Sequence, residues 1–336
     1  MKGTEHEPAR KAGETLEALF RHASARERPP AAVEETIREA LHAEWRSATR
    51  RRKRRRTFAI AAAASLFIAV LAGVLLSTQP DVTGPRPTLA TADRVMGTAT
   101  VKALQADALS RVSPAANLAA GDTVFTRGRS WLALRWRNGA SLRLDQNTRI
   151  RLGTDGSLEL EYGQVYVDTD IAAGRGEELV IRTPAGAVRH LGTRYIAAVS
   201  GGNTTVRVRA GRVALGSSNH EAVAATGEQL SVDAAGTLSI DPIPIHGPLW
   251  AWAADIAPAW NSDGKTIEEL LGWVNRETGL PVRFASAQAR MMASQTLLHG
   301  EVNLAPMAAL AAVLQTTDLE FETAEGEILV RELGPR

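Results

Sequence analysis

The 336-residue chain contains no cysteine, which excludes a disulfide framework, a thiolate metal site and a cysteine nucleophile. Aromatic residues are scarce at 5%, while glycines number 28. That balance disfavours an all-helical protein and suits many turns between short strands. Net charge is nearly absent: 39 Lys and Arg against 37 Asp and Glu leave +2, so attraction to nucleic acid is not a property of the whole molecule. Catalytic signatures are missing as well. No G-x-S-x-G, Walker A or H-E-x-x-H occurs, and the seven histidines lie without the short pair spacings that favour a site. His190, His220, His246 and His299 read as structural or surface residues. Glu159, Glu161, Asp168 and Asp170 read as solvent-facing strand residues, not a glycosidase pair. The expectation is a protein with no catalytic residue, no metal and no cofactor.

What the chain does have is one long apolar run. Phe58 to Leu76 carries a single hydroxyl, Ser65, and no charge follows before Asp81. As a helix it covers about 28 Å, close to the ~30 Å hydrocarbon core of a bilayer. A core helix would show a polar face, and this run shows none. Arg50, Arg51, Arg52, Lys53, Arg54, Arg55 and Arg56 precede it, so the positive-inside rule places residues 1–56 in the cytosol and 57–78 across the membrane as an uncleaved anchor. The same basic run suits contact with anionic lipid and lacks the interleaved aromatics of a nucleic-acid reader.

Within the cytosolic part, Leu16, Leu19, Phe20 and Ala23 share one helical face. After the Pro29-Pro30 stop, Val33, Ile37, Ala40, Leu41 and Trp45 line a second amphipathic helix. A pair this short buries little surface alone, so the hairpin's apolar faces need a partner or the bilayer surface. The candidate contacts are Leu16, Leu19, Phe20, Val33, Ile37, Leu41 and Trp45.

A Pro-containing linker at 79–91 leads into 92–240, a succession of period-2 runs such as WLALRW, SLRL, SLELEY and TVRVRAGRVAL. Asn138-Gly139, Asp155-Gly156 and Gly201-Gly202-Asn203 mark hairpin turns. In Thr205–Leu215 the alternation predicts Val206, Val208 and Ala210 inward, with Thr205, Arg207 and Arg209 on a wet face. The implied fold is all-β, a sandwich or β-roll. Residues 241–262 hold four Pro and three Trp and read as a connector. From 263 to 333 the period changes to a small α+β module. Ser262 or Asp263 caps a helix with Ile267, Leu270, Leu271 and Val274 inward, ended by Gly279 and Pro281. Strands are expected at PVRFA, Thr296–Val302, Leu319–Thr323 and Glu327–Arg331, and a further helical face at Met307, Leu310, Ala311 and Leu314.

The runs NLAAGDTVFTRGRSWLALRWRNGASLRLDQNTRIRL, LVIRTPAGAVRHLGTRYIAAV and TVRVRAGRVAL resemble the FecR family of transmembrane anti-sigma regulators. The carrying residues are Thr183, Pro184 and Gly186, then Gly192-Thr193 followed by Tyr195 where the family usually has Phe, and Gly211 at a strand-to-strand glycine. The terminal module is similar to the short signalling domains of secretins and TonB-dependent transducers, which bind other proteins. The resemblance implies a single-pass protein of a bacterial inner membrane, with its N-terminus cytoplasmic and its C-terminus periplasmic. Its expected partners are an extracytoplasmic-function sigma factor inside, an outer-membrane transducer or other envelope protein outside, and membrane lipid, with no direct binding of nucleic acid. It implies signal transduction and transcription regulation by protein contact. The competing expectation is a membrane-anchored scaffold that binds cell-envelope polymers or proteins; a tethered hydrolase is a third.

Overall fold

The computed structural model describes residues 86–169, 178–190, 192–216, 221–300 and 302–334, which fall in one compact unit, Gly84–Arg336. The expected cytosolic helices, the basic run and the apolar span lie outside the described residues. Among the described residues no helix is long and apolar enough to cross a membrane.

Among the described residues the period-2 runs form seventeen strands arranged as two nine-stranded sheets that share one strand. The first sheet runs, in spatial order, β4 (Asn117–Ala119), β1 (Thr88–Met96), β6 (Trp131–Trp136), β7 (Ser141–Leu144), β9 (Leu158–Asp168), β12 (Arg194–Ser200), β13 (Asn203–Ala210), β16 (Glu228–Val232) and β17 (Leu238–Pro242), all antiparallel. The second runs β3 (Ser110–Arg111), β2 (Ala99–Lys102), β5 (Thr123–Thr126), β8 (Arg149–Leu152), β9, β10 (Ile181–Thr183), β11 (Gly186–His190), β14 (Arg212–Gly216) and β15 (Glu221–Ala225). Among the described residues its one parallel pair is β9 with β10.

β9 belongs to both sheets because it turns a corner. Leu158–Tyr162 pair with β8 and Gly163–Asp168 with β12. Gly163 sits at the switch with φ +94°, and a Cβ there would lie 2.4 Å from Thr148 Oγ1. Only glycine fits that corner. Alternation then decides the layers: Leu132, Leu134, Leu142, Leu144, Val165, Val167, Tyr195, Ala197, Val206 and Val208 point between the sheets into one apolar core.

The expected all-β domain is therefore present, and the next segment departs from expectation. The Pro/Trp connector contains a helix, α1 (Pro248–Asp255), started by Gly247 and a proline in its first turn. Helix α2 (Ile267–Thr278) is capped by Thr266, not by Ser262 or Asp263. The Thr266 hydroxyl accepts from Glu269 N–H while the Glu269 carboxylate reaches back to Thr266 N–H, forming a capping box. Gly279, left-handed at φ +77°, ends the helix. The module is completed by β18 (Val282–Phe284), α3 (Ala287–Gln295), α4 (Pro306–Leu314), β19 (Leu319–Ala324) and β20 (Glu327–Glu332), with spatial order β18-β20-β19. Its own core gathers Ile267, Leu270, Leu271, Val274, Leu310, Leu314, Ile328 and Val330, flanked by Trp260 stacked on Trp273 at 5.6 Å.

Helix α3 had no expected counterpart, although Ser286 accepts from Ala289 N–H as its cap. Thr296–Val302, expected as a strand, makes only isolated bridges, Thr266 to Leu297 and Trp260 to Val302. Pairing partners, not local composition, decide whether such a segment becomes a strand.

Candidate functional site

The outer face of the first sheet carries polar residues on β7, β9, β12 and β13, and these strands are adjacent, so their side chains form one patch. The register sets Arg143 beside Tyr166, Tyr166 beside Ile196 and Ile196 beside Arg207, with Asp168 beside Arg194 in the neighbouring row. The wet face expected there is largely covered. Arg209 is 2% exposed and Arg143 1%. The cover is α1 together with the end of α2: Trp250 and Ala253 pack on Tyr166 and Ile196, with the Tyr166 and Trp250 rings edge-on at 6.5 Å.

Charge is handled by matching arginines to helix ends. The last turn of a helix leaves carbonyl oxygens without intrahelical donors and carries a partial negative charge. Arg194 Nη1 donates to Arg276 O at 2.6 Å and Arg209 Nη1 to Glu277 O at 2.7 Å, both in the last turn of α2. Arg143 Nη1 donates to Ala253 O in α1 at 2.8 Å and to Glu277 Oε2 at 2.6 Å. Arg209 Nε takes Ile245 O at 3.0 Å and Arg94 Nη1 takes Ala257 O at 3.2 Å. In the opposite sense, Arg276 of α2 grips Asp168 of β9 through Nε at 3.1 Å and Nη2 at 2.7 Å, a two-point fork that fixes orientation as well as distance. The guanidinium of Arg143 lies 4.8 Å from the Tyr166 ring centre, and that of Arg209 lies 4.5 Å from the Trp250 ring centre, so aromatic faces supply the remaining solvation.

The seam shifts its own ionisable groups. Burial opposes the Arg143 charge, but Glu277, Tyr166 and Asp168 outweigh it and raise its pKa above the ordinary arginine value. Arg209 is pulled down, chiefly by burial. Asp168 is pushed up by burial against the opposing pull of Arg276, and burial likewise pushes Tyr166 up. The arrangement is a buried, polar, directional latch with no nucleophile poised beside a base.

Of the motif residues, Gly192, Thr193 and Gly211 lie beside the latch. Thr183 Oγ1 donates to Gly186 O at 2.9 Å across the β10–β11 turn around Pro184. Tyr195 is fully buried between the sheets. Thr193 N–H donates to Thr169 Oγ1, whose hydroxyl returns a bond to Thr193 O. Gly211 has φ +85°, and a Cβ on it would lie 2.5 Å from Thr193 Cγ2 and 2.8 Å from Gly192 O. Gly192, Thr193 and Gly211 thus pack together, and with Asp168, Arg194 and Arg276 they line a hollow of about 230 Å³ beside the latch. Thr183, Pro184 and Gly186 belong to a different end of the sandwich. Leu16, Leu19, Phe20, Val33, Ile37, Leu41, Trp45 and the basic residues 50–56 lie outside the described residues. Among the described residues no three His, Asp or Glu side chains are grouped to hold a metal ion. Glu159 and Glu161 face Arg151 and Arg149, at 3.8 and 2.9 Å, instead of forming a carboxylate pair.

Sequence reading missed Arg143, Arg209, Arg276 and Glu277. The one available signal was arginine recurring at alternate positions in TVRVRAGRVAL, read as solvent-facing.

Among the described residues, fold and site together define two modules, a β sandwich and an α+β module, whose contact is a polar centre. A model of the FecR protein family matches residues 122–214, from the start of β5 into β14. Two crystal structures, at 2.50 and 1.65 Å, of a candidate anti-sigma factor from Parabacteroides distasonis ATCC 8503 align at 16% identity with a TM-score of 0.34, covering 62% of this chain and 98% of that one. No curated protein matches the chain.

Proposed function

We propose that the protein is a single-pass signal transducer of a bacterial inner membrane that regulates an extracytoplasmic-function sigma factor through protein contact, without catalysis. The observation that carries this reading is the FecR match of residues 122–214. It is supported by the apolar run Phe58 to Leu76 with its arginine-rich flank. In this reading the hairpin of residues 1–49 holds the sigma factor through Leu16, Leu19, Phe20, Val33, Ile37, Leu41 and Trp45. An outer-membrane transducer or another envelope protein engages the sandwich and terminal module outside. Its binding changes the free energy of the sigma-bound state, by a coupling on the order of 1–3 kcal/mol, and release follows by conformational change or proteolysis. The arginine latch is where an outer partner that grips only the terminal module would have to act on the sandwich.

Co-purification tests the reading directly. Residues 1–49 should retain a sigma factor, and a reporter fused after residue 90 should be extracytoplasmic. Failure of the hairpin to retain any sigma factor, or a cytoplasmic reporter, overturns it.

A further inference from the structure

The two edges of the sandwich beyond β13 do not close on each other. The second sheet ends at β15, whereas the first continues through β16 to β17, and among the described residues no strand pairs with the outer side of β17. All five β17 residues are exposed. Its hydrogen-bonding phase follows from its flanks: Asp233 N–H donates to Thr237 O and Ile243 N–H to Gly227 O. In an antiparallel ladder such bonded pairs recur at every second residue. Ser239 and Asp241 therefore bond inward to β16, and the N–H and C=O of Leu238 and Ile240 point outward.

The side chains of these same two residues lie on the apolar side. Leu238 stands opposite Val232 and Ile240 opposite Leu230, which is fully buried in the core. Yet Leu238 is 47% exposed and Ile240 45%. A groove of about 780 Å³ opens at this end, floored by Leu215, Ala222, Val232 and Leu238. Among the described residues, the charged ones lining it are Glu221 and Asp233, both acidic, and Asp241 lies on the edge strand itself. Edge strands are normally defended by lysine, a bulge or an inward charge. β17 has none of these, and its one proline, Pro242, closes only its end.

We propose that the β17 edge and its groove form a docking site for an extended segment of another protein, added as a further strand, with alternate apolar side chains and Lys or Arg at its ends. Main-chain bonds to Leu238 and Ile240 would supply register and the groove would take every second side chain. The acidic rim selects the basic flanks. The same rim disfavours a second copy of this chain, which would bring its own Asp233 and Asp241 to the edge. This site is independent of the sigma-factor reading.

The probe is a fluorescent peptide, Lys-Val-Thr-Val-Thr-Val-Lys, titrated into the full-length protein in detergent and compared with a version carrying Glu at both ends. Saturable binding is expected for the basic peptide, with the Glu-flanked peptide weaker by about tenfold or more. Ile240→Pro removes an outward N–H that the fold does not use, so it should abolish binding while leaving the melting temperature unchanged. Glu221→Lys should narrow the difference between the two peptides. Equal binding of both peptides, absence of saturable binding, or binding that survives Ile240→Pro in folded protein would overturn the proposal. So would sedimentation showing dimers that Ile240→Pro dissociates, which would assign the edge to a second copy.

Discussion

The two faces of β7 hold opposite kinds of contact one residue apart. Leu142 points into the apolar interior between the sheets, and Arg143 points outward into the seam beneath α1 and α2. Both are essentially unexposed. The interior is held by non-directional burial, which tolerates small shifts. The seam is held by paired charge, which is strongly unfavourable when one partner leaves and close to neutral when both do. A core is built to stay closed, whereas a polar latch depends on geometry that a partner can disturb.

The largest expected effect comes from breaking one half of the latch. Arg143→Ala leaves Glu277 buried without its partner and should cost about 3–5 kcal/mol, measured by denaturant titration. Arg143→Met with Glu277→Leu should recover most of that loss. A double variant as unstable as the single one would show that the pair itself, not the orphaned charge, dominates. Leu142→Ala comes next, at about 2–5 kcal/mol, and no compensating change across the seam should rescue it. Protease sensitivity separates the two cases. The Arg143 variant should expose the α1–α2 region at conditions where the sandwich stays intact, and the Leu142 variant should lose both together.

Gly211→Ala probes the support beside the latch. Its positive φ and the contact with Thr193 predict a loss of roughly 1–3 kcal/mol, read as a drop in thermal midpoint. The smallest effect is a change in pH dependence. Asp168 has its folded pKa raised, first by burial. Its contribution to stability is therefore fully present below its unfolded pKa and is lost as pH rises through the folded value. Melting curves between pH 4 and pH 7 should show wild type gaining on Asp168→Asn as the pH falls. The reverse trend would mean that the Arg276 fork outweighs desolvation.

Much of the architecture was legible because local pattern and final environment agree. WLALRW and SLRL alternate, and they became β6 and β7 with Leu132, Leu134, Leu142 and Leu144 inward. The apolar spacing of α2 and its terminal Gly279 also match the helix found. Helix α1 was obscured because the prolines and tryptophans of residues 241–262 suggest a connector, although Pro248 in the first turn is a legitimate start. Helix α3 has few apolar anchors, Ala289 and Ala293 being its buried residues. Thr296–Val302 has a strand's look and lacks a strand's partner.

The site was legible only in part. Gly192, Thr193 and Gly211 could be picked out one by one, but their mutual contact, and their place beside Asp168 and Arg276, depend on residues far apart in the chain.

By itself the sequence determined which residues alternate, where the turns fall and which segment has the length and apolarity of a membrane span, because these follow from near-neighbour sterics and hydropathy. It could not say that the polar face of β7, β9, β12 and β13 would be roofed by two helices, Pro248–Asp255 and Ile267–Thr278, that follow all four strands in the chain. Alternation reveals that two faces of a strand differ. Whether the polar one meets water or the negative ends of helices is decided only when distant segments pack, and there the tertiary structure turned Arg143, Arg194 and Arg209 from apparent surface residues into the latch.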